Sequence, residues 1–131
     1  MILLNGDFME HERRHGEHCA IGQADKLMGF HPDVLEMYQE LNPELLDVIG
    51  KFDRIILKDG ALPTKTKRLI ALGIIISNQC GYCVEQQLRA AINAGATKEE
   101  IADLMGVVLL TSGAPALASC RDMVSKVLRE L

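Results

Sequence analysis

Two cysteines three residues apart, Cys80 and Cys83 in the stretch SNQCGYCVEQQ (77–87), could carry covalent chemistry. They fall where an apolar run gives way to a polar segment with helical patterning. At the first turn of a helix, unpaired amides and the positive end of the helix dipole favour a thiolate over a thiol. Such placements lower a cysteine pKa from about 8.5 to between roughly 3.5 and 7.5. The spacing is one helical turn, so one thiol can attack a mixed disulfide or sulfenic acid formed on the other. Two other readings stand beside the redox pair. A zinc site needs two more ligands, and neither a second Cys-x-x-Cys nor a His pair follows downstream. The pair can also be two small residues that pack between helices.

A second group lies near the N-terminus, in the run HERRHGEHC (11–19). His11, His15 and His18 recur at helical spacing on one face, with Cys19 adjoining. An i, i+4 histidine pair can chelate a metal such as zinc. The run has a likeness to zinc-peptidase patterns, but it is not taken as a peptidase. A charged, solvent-facing helix is the plainer reading, and Cys19 as a third thiol exchanging electrons with Cys80 is another. Cys120, between apolar positions of the last segment, reads as a core residue.

The elements that must position these groups are helical almost throughout. Asp7 to Glu10 has the form of a capping box. Phe30-His31-Pro32-Asp33 marks a boundary, because proline disfavours α conformation in the residue before it. A short helix carries Val34, Leu35, Met37, Tyr38 and Leu41. Asn42-Pro43 supplies a cap and a first-turn proline for a helix closed by Gly60. Thr64 is a candidate cap for the next, in which Leu69 to Ile76 is apolar nearly all round and therefore reads as central and buried. Val84, Leu88, Ala91 and Ile92 then form an amphipathic stripe ending at Gly95. Thr97 to Glu100 is a further capping box, opening a helix that breaks at Ser112-Gly113-Ala114-Pro115, and a last helix follows. The expectation is a single all-α domain with short loops. The β-branched run Ile70 to Ile76 leaves one rival, a buried strand before Cys-x-x-Cys in a thioredoxin fold.

A chain of 131 residues, about half hydrophobic and a quarter charged, can bury a core of its own without staples. With a net charge of −4 and no basic stripe, no nucleic-acid partner is expected. No apolar run approaches the roughly 18 residues of a membrane span. No signal peptide is read in the opening residues, so a cytoplasmic location is expected, where thiols stay reduced and a Cys-x-x-Cys pair is catalytic or metal-binding.

The segment Leu62 to Gly113, LPTKTKRLIALGIIISNQCGYCVEQQLRAAINAGATKEEIADLMGVVLLTSG, resembles the alkylhydroperoxidase D-like group of the carboxymuconolactone decarboxylase superfamily. The resemblance rests on the Leu-Pro-x-Lys-x-Lys approach, the apolar helix, Cys-x-x-Cys, and Ala-x-x-Ala-Gly-Ala-Thr-x-Glu-Glu-Ile. Residues 1–60 carry no recognisable motif of the group. The resemblance implies an all-α fold in which the cysteine motif opens a helix packed on the apolar one, and a homo-oligomer, trimer or hexamer. It implies that Cys83 is the attacking thiolate and Cys80 the resolving thiol, acting on a hydroperoxide or small disulfide. Turnover then needs an external dithiol reductant protein, and no cofactor or metal is implied.

Two departures qualify this. Redox-active members carry a glutamate twelve residues before the first cysteine and a histidine four after the second, read as a proton relay. Here those positions hold Arg68 and Gln87. Glutamine is no general base, and arginine does not release its proton in proteins. Either Arg68 stabilises the thiolate by charge while Gln87 orients it, which suits thiol–disulfide exchange better than peroxide reduction, or Arg68 is a solvated helix-start residue and Gln87 a filler. Tyr82 could lend a hydroxyl to the site, and Glu85 points away from it as a surface or subunit contact. The expected activity is a thiol-disulfide oxidoreductase or peroxidase-type antioxidant. The alternatives are a lactone-acid decarboxylase with Arg68 as anchor, and a non-catalytic oligomeric or metal-binding module.

Overall fold

A computed structural model describes Asp25, Lys26, Met28, Gly29 and residues 33–131. The helices are α1 (Val34–Leu41), α2 (Pro43–Leu57), α3 (Thr64–Ser77), α4 (Gly81–Asn93), α5 (Lys98–Ser112) and α6 (Ala114–Arg129), and no strand occurs among the described residues. The all-α expectation holds. The run 70–76 lies inside α3, so the thioredoxin alternative does not arise. The chain divides into two compact units at Lys58 and Asp59.

In the first unit, Asn42 serves both helices. Its N–H closes α1 on the Tyr38 carbonyl at 2.8 Å, and its Oδ1 accepts from the Leu45 N–H at 3.1 Å to open α2. Pro43 follows in the first turn, where its missing N–H costs nothing.

The second unit holds α3 to α6. Thr64 does not cap α3 but is its first helical residue. The cap comes from Asp59, whose Oδ1 accepts the Thr64 N–H at 2.7 Å across the loop. Hydrogen bonding to Thr64 holds the Asp59 carboxyl below its usual range. The sequence misleads here because the capping side chain lies five positions upstream, outside the local window in which caps are read.

Asn78, Gln79 and Cys80 join α3 to α4 in a short helical hairpin. Gln79 takes a left-handed conformation at φ 57°, with its N–H bonded to the Ile76 carbonyl at 3.0 Å. The end of α4 is a Schellman turn: Gly95 sits at φ 94°, with Ala96 N–H on Ala91 O at 3.0 Å and Gly95 N–H on Ile92 O at 2.9 Å. The capping box of α5 is present in both directions, Glu100 N–H to Thr97 Oγ1 at 3.2 Å and Thr97 N–H to Glu100 Oε2 at 2.9 Å. Gly113 separates α5 from α6.

The core of this unit draws Leu72 and Ile76 from α3, Val84 and Leu88 from α4, Ile101 and Val108 from α5, and Cys120, Val124 and Val127 from α6. Cys120 is buried as expected, and burial pushes its thiol up from the ordinary value. One expectation needs correction. The α3 helix is not buried all round, since Ile70 and Ile74 are 48% and 56% exposed. Leu72 and Ile76 share one face at i, i+4 spacing, and that is the face α4, α5 and α6 cover.

Candidate functional site

Cys80 is the N-cap of α4 and Cys83 its third residue, and the two are joined by a disulfide with Cα atoms 5.3 Å apart. The Cys80 side chain caps no amide, so the first-turn N–H groups of Gly81, Tyr82 and Cys83 lie at the leading end of the helix unpaired within it. The Val84 N–H, at 2.9 Å from the Cys80 carbonyl, makes the first intrahelical bond. Both cysteines are partly exposed. Val84, Leu88 and Ala91 face the core, which leaves Cys83 and Gln87 together along the flank of α4, one turn apart.

Gln87 is half-buried, and its Oε1 is shielded from solvent with no hydrogen-bond donor. Tyr82 is exposed at the first turn, so its ring is not packed. Arg68 is 2% exposed, which rules out a solvated helix-start residue. It precedes Ser77 by nine residues, about 14 Å of helical rise. In an antiparallel hairpin that depth matches Gln87 and the turn beyond it better than Cys83.

Glu85 does not stand free on the surface. Its Oε1 accepts from Arg89 Nη2 at 2.7 Å and Nε at 3.1 Å, and from Lys126 Nζ at 3.3 Å. Arg89 Nη1 reaches Glu130 Oε2 at 2.8 Å, so the cluster ties α4 to α6. Burial pushes the Glu85 carboxyl up, but the hydrogen bonds from Arg89 and Lys126 outweigh it and hold the group below the usual glutamate range. The sequence offers one signal for this cluster, the i, i+4 pair Glu85 and Arg89, and none for its link to α6.

A groove of about 440 Å³ runs between α3 and α5, walled by Leu69, Ile70, Gly73, Ile74, Leu104 and Val107. Its lining extends to Ser77 and Asn78, the residues that lead into Cys80. Ser112 Oγ and Ser77 Oγ, 2.8 Å apart, close the ends of the two helices on each other. Among the described residues no cluster of three His, Cys, Asp or Glu could hold a metal. His11, His15, His18 and Cys19 lie outside the described residues, as does the Asp7 cap. The run His11-Glu12-Arg13-Arg14-His15 has the His-Glu-x-x-His spacing in full.

A helical hairpin with Cys-x-x-Cys at the head of its second helix is what the resemblance predicts, and residues 43–126 match the family model described as Carboxymuconolactone decarboxylase family. The chain belongs to the carboxymuconolactone decarboxylase family. The match begins at Pro43, so α2 is part of the family region although no motif was legible there. An uncharacterized protein of Methanocaldococcus jannaschii is 37% identical over 99 residues, covering 75% of this chain and 95% of the relative. A second uncharacterized protein of the same organism is 24% identical over 95 residues, 72% of this chain and 89% of its own. Among solved structures, a carboxymuconolactone decarboxylase candidate from Burkholderia xenovorans LB400 superposes with a TM-score of 0.70. It covers 94% of this chain and 95% of its own at 21% identity, a likeness of fold. Members of this carboxymuconolactone decarboxylase family are often enzymes. No helix of the described residues is long and apolar enough to cross a membrane.

Proposed function

We propose that this family member is a cytoplasmic thiol-disulfide oxidoreductase in which Cys83 attacks and Cys80 resolves. The observation that carries the reading is the Cys80–Cys83 disulfide at the leading turn of α4, with both residues partly exposed. Helix-end amides favour the thiolate when the pair is reduced. The Cys83 thiolate attacks one sulfur of a small disulfide, the other sulfur leaves as a thiolate, and a mixed disulfide remains. The Cys80 thiolate then displaces the second half of the substrate and closes the pair. An external dithiol protein reopens it. Tyr82, exposed beside the pair, offers that protein an aromatic contact.

A hydroperoxide is the less favoured oxidant, because its departing oxygen needs a proton that neither Gln87 nor Arg68 supplies. The burial of Arg68 supports a fixed charge within the helical unit in place of a solvated side chain. The same burial weighs against a lactone-acid decarboxylase, whose substrate carboxylate would have to reach that guanidinium. Ile70, Ile74, Val107, Leu109 and Leu110 are exposed on α3 and α5, an apolar supply that supports a homo-oligomer, trimer or hexamer.

The test is turnover of a small disulfide with a dithiol reductant. Cys83→Ser abolishes it, and Cys80→Ser traps a mixed disulfide on Cys83 that intact-mass measurement detects. Undiminished turnover by Cys83→Ser removes the proposal.

A further inference from the structure

The flank of α4 that carries the cysteine pair also carries a polar atom with nothing to bond. Gln87 Oε1 is shielded from solvent and has no donor. Buried acceptors are rarely left in that state, and each exception calls for a reason. Long side chains on a helix lean back toward its N-terminus, over the turn three and four residues earlier. The residue four before Gln87 is Cys83.

In the disulfide, the Cys83 sulfur has no proton to donate. Reduction adds two electrons and two protons, breaks the S–S bond, and leaves an S–H on each cysteine. The Cys83 thiol can then donate to the waiting carboxamide oxygen. When that thiol ionises, half a turn of the same carboxamide presents Nε2–H to the thiolate instead. One side chain serves both protonation states of the reduced pair, whereas the disulfide has no hydrogen to give its oxygen.

We propose that Gln87 sets the redox poise of the pair: unsatisfied against the disulfide and satisfied against the dithiol, it makes the disulfide a stronger oxidant. This rests on the reading of Cys80 and Cys83 as a redox pair. Gln87 is therefore more than an orienting residue, because the orphaned oxygen gives its effect a sign.

The experiment equilibrates full-length wild type, Gln87→Met and Gln87→Leu with defined mixtures of reduced and oxidised glutathione. The Cys80–Cys83 disulfide is quantified by alkylation and mass. Both variants remove the acceptor and keep an apolar stem of similar length. Each is expected to hold the disulfide about tenfold more strongly than wild type, a shift of about 30 mV for a two-electron couple. Equal midpoints in wild type and both variants overturn the inference and leave the oxidoreductase reading standing. A wild type that forms no Cys80–Cys83 disulfide in any mixture overturns that reading itself. A readout independent of the variants is the Gln87 side-chain amide resonance pair in wild type. It moves on reduction if the carboxamide gains a partner, and an unmoved signal counts against the proposal.

Discussion

Replacing Arg89 by methionine removes the cation that joins α4 to α6 while keeping an unbranched stem in its place. The arginine side chain is 11% exposed and its two partners, Glu85 and Glu130, are 17% and 27% exposed. An exposed ion pair contributes about 0–1 kcal/mol, and breaking a buried one costs about 3–5 kcal/mol. This cluster lies between those limits, and Lys126 at 3.3 Å still partly compensates Glu85. The expected loss is therefore about 2 kcal/mol at pH 7. The pH dependence has a definite sign. The folded-state pKa of Glu85 lies below the ordinary 4.5. Its pairing contributes stability that is complete above about pH 4.5 and lost as pH falls through the folded-state value. Urea unfolding of wild type and Arg89→Met at pH 7 and pH 3.5 reads both effects. The difference between the proteins should shrink at the lower pH. A loss below about 0.5 kcal/mol at pH 7, or the same loss at both pH values, refutes the claim that α6 is held to α4 by these charges.

Gln79→Gly should raise stability by up to about 1 kcal/mol, since the left-handed backbone at φ 57° strains a side chain and not a glycine; a lowered urea midpoint contradicts this. Gly106→Ala, in the interior of α5 with open space where a Cβ would sit, should stabilise by about 0.5–1 kcal/mol through helix propensity alone. Thermal unfolding checks it, and no rise in Tm counts against it. Leu88→Ala should cost about 3–5 kcal/mol, because Leu88 is fully buried among Leu72, Ile76 and Val84. A cost under about 1.5 kcal/mol would mean that the core collapses into the space.

Helix identity and boundaries in this chain were legible wherever the signal is local. The capping box at Thr97, the Asn42-Pro43 start and the glycines at 95 and 113 each act within a few residues, and each appears as read. What failed were the readings that depend on contacts between segments. Thr64 looked like a cap because the Asp59 carboxylate that does the capping returns across a loop. The run Leu69 to Ile76 looked buried because composition says nothing about which face finds a neighbour, and Ile70 and Ile74 stay about half exposed. Glu85 looked like a surface residue because Lys126 is 41 positions away. Gln79 carries no signal at all, since glutamine is not a residue that marks a left-handed turn. The cysteine pair was legible through the first principle, a helix-leading motif, whereas the orphaned oxygen of Gln87 is a property of packing.

In the proposed oxidoreductase, Arg68 and Gln87 stand where the resemblance implies a proton relay, and proton balance bears on which oxidant the pair would use. In thiol–disulfide exchange a thiolate attacks and the leaving group is a substrate thiolate of ordinary pKa, about 8.5, so no proton need move in the step. In peroxide reduction the leaving group is a hydroxide or alkoxide, and the parent acid of hydroxide has a pKa of about 15.7. The gap of about 7 units corresponds to roughly 10 kcal/mol of leaving-group basicity that a positioned acid would otherwise offset. Gln87 has N–H donors but no proton to release, and an arginine such as the buried Arg68 does not give up its proton in a protein. Hydrogen bonding can stabilise a departing oxygen without protonating it, and it recovers only part of that gap. On the proposed reading a disulfide substrate demands nothing that this site lacks. There the amide that cannot run the peroxide step suits the exchange step, because a carboxamide can bond a thiol and a thiolate in turn.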